Sequence, residues 1–466
     1  MPAIPAKYDV NDKAINSAGD DERKARIDYI RSRWARYEGD HPRPLKVRPG
    51  DRDDNIILNP SGKAVDRMVA SIKMPVRFEV PGGSDIEPTP EADGGDVTEI
   101  VTDVQAMVNQ TWDEIRPIMG DLMLSCQVAG HVFVKLVDDE DGVSAELLDP
   151  RHVTVFYDQR KPRRRLFYRM EWKFGRDEYR QDIVPVWLRE GGSRPDGSDL
   201  WDVIEYEKRL TGTPGWSLVS EERWKICPVV DWPAARLPHQ YYGRSMLNRP
   251  GLNDSINFIA SNTGRIIKFH AHPRTIARGV AADQIEQTAI DGMWTVPAES
   301  SIENLEMQSD LESSMRMLDR LERNYYSELN VVDPSTFGDK LGKITNFGIR
   351  VLYADQIDEV QKKRDDFYGP GLAEVIRRLV WLKGANIDAP LMAVWPDPLP
   401  KDEMELVQRA SAEKALGTTS LQTLAETIGR DYATEVERQI DERLQARERQ
   451  LDQSEFEATR GLMPNG

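Results

Sequence analysis

The residues with the most suggestive chemical spacing are Gly338-x-x-x-Gly342-Lys343-Ile344-Thr345. A phosphate loop needs four residues between its glycines and a Ser or Thr directly after the Lys, so that amides cradle phosphate and the hydroxyl reaches magnesium. Here three residues separate the glycines and Ile344 intervenes, and no strand precedes them. The spacing therefore argues against nucleotide binding. Of the six histidines only His270 and His272 lie close together, with no third ligand beside them. They read as structural, and no metal is expected. Cys126 and Cys227 form no CxxC pair, so a zinc site and a disulfide framework are both disfavoured. GxSxG, HExxH and Cys/His signatures are missing. Acidic pairs such as Asp53-Asp54 and Asp365-Asp366 suit a solvated surface. No catalytic residue, cofactor or enzymatic activity is expected.

The bulk properties narrow the partners. The chain has 466 residues, 62 basic against 79 acidic, and a net charge of −17. A protein that grips DNA usually carries a basic patch, because cations release the counterions of the phosphates. This composition speaks against tight DNA binding and is compatible with a surface past which DNA must slide. No apolar run is long enough to span a bilayer. The N-terminal residues lack the basic and apolar regions of a secretory signal.

The elements that position these residues can be read in order. Ile27, Ile30, Trp34 and Tyr37 predict a helix over 24–38. Asn59-Pro60-Ser61 opens a second, since proline suits a first helical turn. A short strand follows in MPVRFEV. Residues 97–129 predict one or two helices, broken at Pro117 or Gly120. From Gly130 the apolar period becomes two, giving antiparallel strands at 131–139, 145–150, 152–158, 165–174, 183–190, 199–209 and 215–220. The basic run Lys161–Arg165 falls in one of their hairpins; it could contact nucleic acid, but with no second basic cluster to support that it reads as a solvated turn.

Residues 250–269 predict a helix of unusual chemistry. Between Gly251 and Gly264 the only charge is Asp254, while Asn253, Ser255, Asn257, Ser261, Asn262 and Thr263 are polar. Such depletion of charge suits a helix enclosed by neighbouring subunits. Residues 270–306 predict an insert of two strands around a small helix, DQIEQTAI. A return helix over 310–332 keeps Leu311, Met315, Leu318, Tyr325 and Leu329 on one face. After a Gly-rich loop, Ile344–Trp381 predicts one long helix, kinked at Gly369-Pro370-Gly371. Residues 385–400 suggest a strand added to the core sheet, and 401–460 a helical tail.

In order and spacing these parts resemble the portal protein of tailed double-stranded DNA bacteriophages, in particular those of long-tailed actinobacterial phages. The resemblance rests on Tyr37-x-Gly39-Asp40-His41-Pro42, LLDPRHVTVFYD, YYGRSMLNRPGLNDSIN, the step from Lys268-Phe269 to Pro273, the Gly-rich loop before a long helix, and TSLQTLAETIG. It implies an α+β portal fold. Residues 1–24 would be a flexible N-terminus and 25–243 a wing of helices and antiparallel strands. Stem helices would span 244–269 and 309–332, around a small α/β clip at 270–308. A tunnel loop would occupy 333–345, the long wing helix and return strand 346–400, and a helical crown and tail 401–466.

The resemblance further implies a homo-oligomeric ring, a dodecamer, at one capsid vertex of the virion, assembled in the host cytoplasm. Double-stranded DNA would pass without sequence specificity, lined by the tunnel-loop residues Phe337, Gly338, Asp339, Lys340, Leu341, Gly342 and Lys343. The stem would pack subunits together through Leu252, Ile256, Ile259, Asn262, Ile266, Leu311, Met315 and Leu318. The terminase large subunit, a head–tail adaptor and a major capsid or scaffolding protein would be its partners. The alternative is another structural virion protein, a minor capsid or head–tail joining protein.

Overall fold

The computed structural model describes Tyr8 and residues 20–47, 49–50, 52–80, 97–140, 142–158, 160–191, 200–209, 215–271, 274–278, 286–287, 294–295, 301–305, 311–333, 346–385, 387, 390–398, 411–414, 436, 438 and 440. The chain divides into two units, 1–398 and 399–466. In the second unit, residues 411–414, 436, 438 and 440 are helical. The rest of the expected crown lies outside the described residues.

The first unit mixes helices with antiparallel sheets, as the residue patterns predict. Helix α1 (Asp20–Glu38) and helix α2 (Pro60–Ile72) come first. Asn59 caps α2 by accepting a hydrogen bond from the Gly62 amide, and Pro60 takes the first turn. Strand β1 is Arg77–Glu79. Helices α3 (Val97–Ile115) and α4 (Met119–Ala129) are separated by a 3-10 turn at Arg116–Ile118. Pro117 lies inside that turn, where its missing N–H interrupts the α-helical ladder. Gly130 ends α4 in the left-handed conformation, at φ 88°.

Strands β2 (His131–Asp139), β3 (Gly142–Leu148) and β9 (Val229–Pro233) form a three-stranded sheet with β2 in the centre. Strands β4 (Val153–Asp158), β5 (Lys161–Phe174), β6 (Asp177–Pro185), β7 (Trp201–Lys208) and β8 (Ser217–Trp224) form an antiparallel meander in chain order. Two expectations change here. The segment IVPVWLRE is not one strand: β6 stops at Pro185, and Val186–Glu190 is a short helix, α5. Gly191, left-handed at φ 76°, closes that helix. The basic run Lys161–Arg165 is also not a turn, because it forms the first residues of β5.

Helix α6 (Pro250–Ala271) and helix α7 (Leu311–Glu328) pack against each other. Between them, β10 (Arg274–Arg278) pairs with β13 (Ser301–Leu305), and β11 (Glu286–Gln287) with β12 (Trp294–Thr295). The small helix expected at DQIEQTAI is contradicted at Glu286–Gln287, which hydrogen-bond as a strand. The long helix expected over 344–381 is divided. Helix α8 (Asn346–Leu352) ends before Tyr353, and helix α9 (Ala354–Lys363) runs into a π-helical stretch at Arg364–Tyr368. Helix α10 (Gly369–Leu382) continues from it. The widened turn thus lies just ahead of Gly369-Pro370-Gly371, because Pro370 sits in the tolerant first turn of α10.

Strand β14 (Met392–Val394) does not join a larger sheet, as its apolar pattern suggested. Among the described residues it pairs with β1 alone, Arg77 facing Val394. The main core gathers α2, α3, α4, α10 and the inner face of the three-stranded sheet around Met68, Trp112, Met123, Val132, Trp232 and Tyr368. Arg364 is buried in it, with its guanidinium donating to the carbonyls of Ser71 and Pro396. Among the described residues, no helix is long and apolar enough to cross a membrane.

Candidate functional site

A buried polar face runs along α6. Asn253, Asn257 and Ser261 recur every fourth residue and therefore share one helix face. All three are fully buried. They face the extended segment Ile56–Asn59, which a regular strand partner would otherwise have to satisfy. The Ile56 amide donates to Ser261 Oγ at 2.9 Å, and that hydroxyl donates back to the Ile56 carbonyl at 3.2 Å. The Leu58 amide donates to Asn257 Oδ1 at 2.9 Å. Asn253 Nδ2 donates to the Leu58 carbonyl at 3.2 Å. Among the described residues, Asn257 Nδ2 is buried without a partner.

This ladder extends into α7. Ser61 Oγ donates to Asn253 Oδ1, and the Tyr325 hydroxyl sits 2.7 Å from the same Ser61 oxygen. A hydroxyl has one proton, so Tyr325 is the donor in the second bond. Burial pushes the Tyr325 phenol up to about 12, which keeps that proton in place at neutral pH.

Ion pairs fix both ends of the arrangement. Arg36 of α1 holds Asp254 in a two-pronged contact at 2.7 and 3.1 Å, which gives the one charge of the depleted stretch its partner. Arg265 reaches Asp54 at 2.8 Å, and Arg249 pairs with Glu328 at the base of the two helices. These polar residues carry intrasubunit bonds that charge depletion alone did not reveal. The readable signal was their spacing of four, which suits one neighbour along one edge.

The anticipated packing residues fall into two sets. Ile256 is sealed in the subunit's own core, while Leu252 and Leu318 pack against that core partly buried. Ile259, Asn262, Ile266 and Leu311 are half-buried, and Met315 is 59% exposed. Phe258, Ile267 and Met317 are also exposed on the two helices. The anticipated loop residues Phe337, Gly338, Asp339, Lys340, Leu341, Gly342 and Lys343 lie outside the described residues.

A second polar centre joins the two sheets. Asp231 of β9 is buried and receives bonds from His131 Nε2 at 2.8 Å, Tyr241 at 2.6 Å, Tyr168 at 2.5 Å and Arg165 at 3.1 Å. Burial alone would raise its carboxyl. The bond and charge of His131, with Arg165 and Tyr168, instead hold it well below the usual carboxylate range. The hydroxyls of Tyr168 and Tyr241 are pushed well above the ordinary tyrosine value, first by burial. Every group here is committed to a neighbour, so the cluster is a structural joint. Cys126 is equally closed: burial pushes its thiol up to about 12, out of the reactive range.

Residues 251–450 match the family model described as phage portal protein, SPP1 Gp6-like. That stretch is therefore similar to a phage portal domain. The portal match begins at the start of α6 and takes in the insert, α7 and the divided helix α8–α10. Two solved structures are among those to which the chain is similar. One is described as the neck of an empty GTA particle computed with C6 symmetry. It is 14% identical, with a TM-score of 0.44, covering 80% of this chain and 90% of that one. The other is the neck of a native GTA particle computed with C12 symmetry. It is 13% identical, with a TM-score of 0.42, covering 79% and 91%. No curated protein matches the chain.

Proposed function

We propose that this chain is the subunit of a portal ring at one vertex of a phage-type capsid. The observation that carries the reading is the portal match over 251–450, which falls on two antiparallel helices joined by a small β insert. In this reading α6 and α7 are the stem, the insert is the clip, and residues 333–345 are the tunnel loop. The exposed apolar residues Phe258, Ile267, Met315 and Met317 supply the contact with neighbouring subunits. Burying them removes apolar surface that water disfavours, at roughly 25 cal/mol per Å². Ile256 takes no part in that contact, because the subunit's own core already covers it.

The ring is the channel for packaging and ejecting double-stranded DNA. An acidic chain suits a conduit, since repulsion of phosphate lets a duplex slide. The clip and crown receive the terminase large subunit, a head–tail adaptor and the surrounding capsid or scaffolding protein. The protein performs no catalysis of its own. Native mass spectrometry and negative-stain microscopy test the reading. The expected result is a closed ring, with twelve subunits as the leading number. Phe258→Asp with Ile267→Asp should leave a folded subunit that no longer closes. A wild-type chain that stays monomeric under all assembly conditions would sink the proposal.

A further inference from the structure

A cavity of about 840 Å³ opens between the start of β5, the loop 234–244 and helix α9 with its π-helical continuation. Among the described residues, its walls carry Lys161, Arg163, Arg236, Arg244, Lys362 and Lys363 against Glu359 and Asp366. In a chain of net charge −17 this is a local reversal of sign. One lysine is accounted for: buried Lys363 binds the Ala234 carbonyl at 3.1 Å and Glu359 at 3.2 Å. Arg236 rests over the Phe367 ring, 5.8 Å from its centre. Lys161, Arg163, Arg244 and Lys362 are exposed and, among the described residues, have no carboxylate partner. Basic side chains elsewhere on the first unit are commonly tied to acids, such as Arg169 to Asp182 and Arg189 to Asp202.

Two further observations mark the same place. His239, on the cavity wall, is a non-glycine residue held at φ 62°. The opposite wall includes Asp366 and Phe367 of the π-helical turn. Strained backbone and widened helical turns both concentrate at binding sites. The loop between them is pinned at its base, where the Ala234 amide donates to the Gly130 carbonyl and the Arg244 amide to the Ala235 carbonyl, each at 2.9 Å. Its cations are therefore presented from a fixed frame, which lowers the cost of ordering them around a ligand.

We propose that this cavity binds phosphate groups in series, from a nucleic-acid backbone or a free oligophosphate. Arg163, Arg236 and Lys362 would hold the phosphate oxygens, and buried Lys363 would set the positive floor. The site lies on a single subunit, so a chain that fails to form rings can still bind, and the two readings fail separately.

The test uses the full chain at low salt with a labelled short DNA duplex in one arm and tripolyphosphate in the other. Arg163→Gln with Arg236→Gln and Lys362→Gln changes the cavity. Arg31→Gln with Arg116→Gln and Lys173→Gln makes the same charge change elsewhere. A duplex source predicts binding that falls about tenfold or more in the cavity variant alone, with the salt slope reduced by roughly one per lost contact. An oligophosphate source predicts tripolyphosphate binding lost in that variant and no duplex binding. The proposal is overturned if the wild type binds neither, if both variants behave alike, or if polyglutamate binds as tightly as the phosphate ligands.

Discussion

Replacing Asn257 and Ser261 together by Ala isolates the work done by the polar edge of α6. The pair removes three hydrogen bonds to the segment 56–58, two at Ile56 and one at the Leu58 amide. A typical bond of this kind contributes about 1 kcal/mol, which bounds the loss near 3 kcal/mol. Two corrections reduce it. Ile56 is partly exposed, so water replaces part of what is lost there. Alanine also favours the helix by roughly 0.5 kcal/mol over Asn or Ser. A local loss of about 2 kcal/mol remains, or roughly thirtyfold in the opening of the segment.

Hydrogen exchange of the Ile56 and Leu58 amides reads this directly, and both should exchange roughly thirtyfold faster. Ser255→Ala is the control, because among the described residues Ser255 bonds only to the Gly251 carbonyl of its own helix. Unchanged exchange at Ile56 and Leu58 would refute the reasoning. So would loss of ring formation with those amides still protected, since the ladder would then act between subunits.

Other expectations follow from the buried joint and the close-packed helix. Asp231→Asn should cost about 3 kcal/mol, because it leaves Arg165 and His131 facing a neutral side chain. The folded Asp231 carboxyl lies below its unfolded value of about 3.9, so its stabilisation is complete above that pH and lost as pH falls through the folded value. The variant's stability should thus vary less with pH below about 4 in acid-unfolding curves, and parallel curves would remove Asp231 from the account. Gly371→Ala should destabilise by about 1–3 kcal/mol, since the new Cβ would stand 2.5 Å from the Trp232 ring. Gly251→Ala, which meets open space, should be neutral or mildly stabilising, and urea midpoints followed by tryptophan fluorescence separate the two.

Much of the fold is legible in the residue pattern, for local reasons. Asn59-Pro60-Ser61 marks the start of α2 because a cap and a first-turn proline act within three residues. Pro117 marks the break between α3 and α4 in the same way. The period-two alternation from Gly130 onward shows the meander because each strand buries one face. What escaped depends on distant partners. Pro185 turns IVPVWLRE into a strand and a helix, and the apolar side chains suit both. Met392–Val394 has a strand's composition, but composition does not say that its partner is β1. The polar face of α6 looked suited to neighbouring subunits because Ile56–Asn59, which satisfies it, lies about 200 residues earlier. The anion-binding cavity was the least visible, since its cations come from three separate stretches. Only Lys161–Arg165 stood out, and without the others it resembled a solvated turn.

The pairing of Arg77 with Val394 also sets a schedule for making the protein. Among the described residues strand β1 has no other strand partner, and Arg364, which anchors to Ser71 and Pro396, arrives almost as late. About 300 residues must be synthesised after β1 before this seam can close. At roughly 5–20 residues per second, that takes between a quarter of a minute and a minute. Throughout that interval Phe78, fully buried against Trp112 in the finished subunit, lacks part of its cover. Only a chain translated through residue 394 can close this seam.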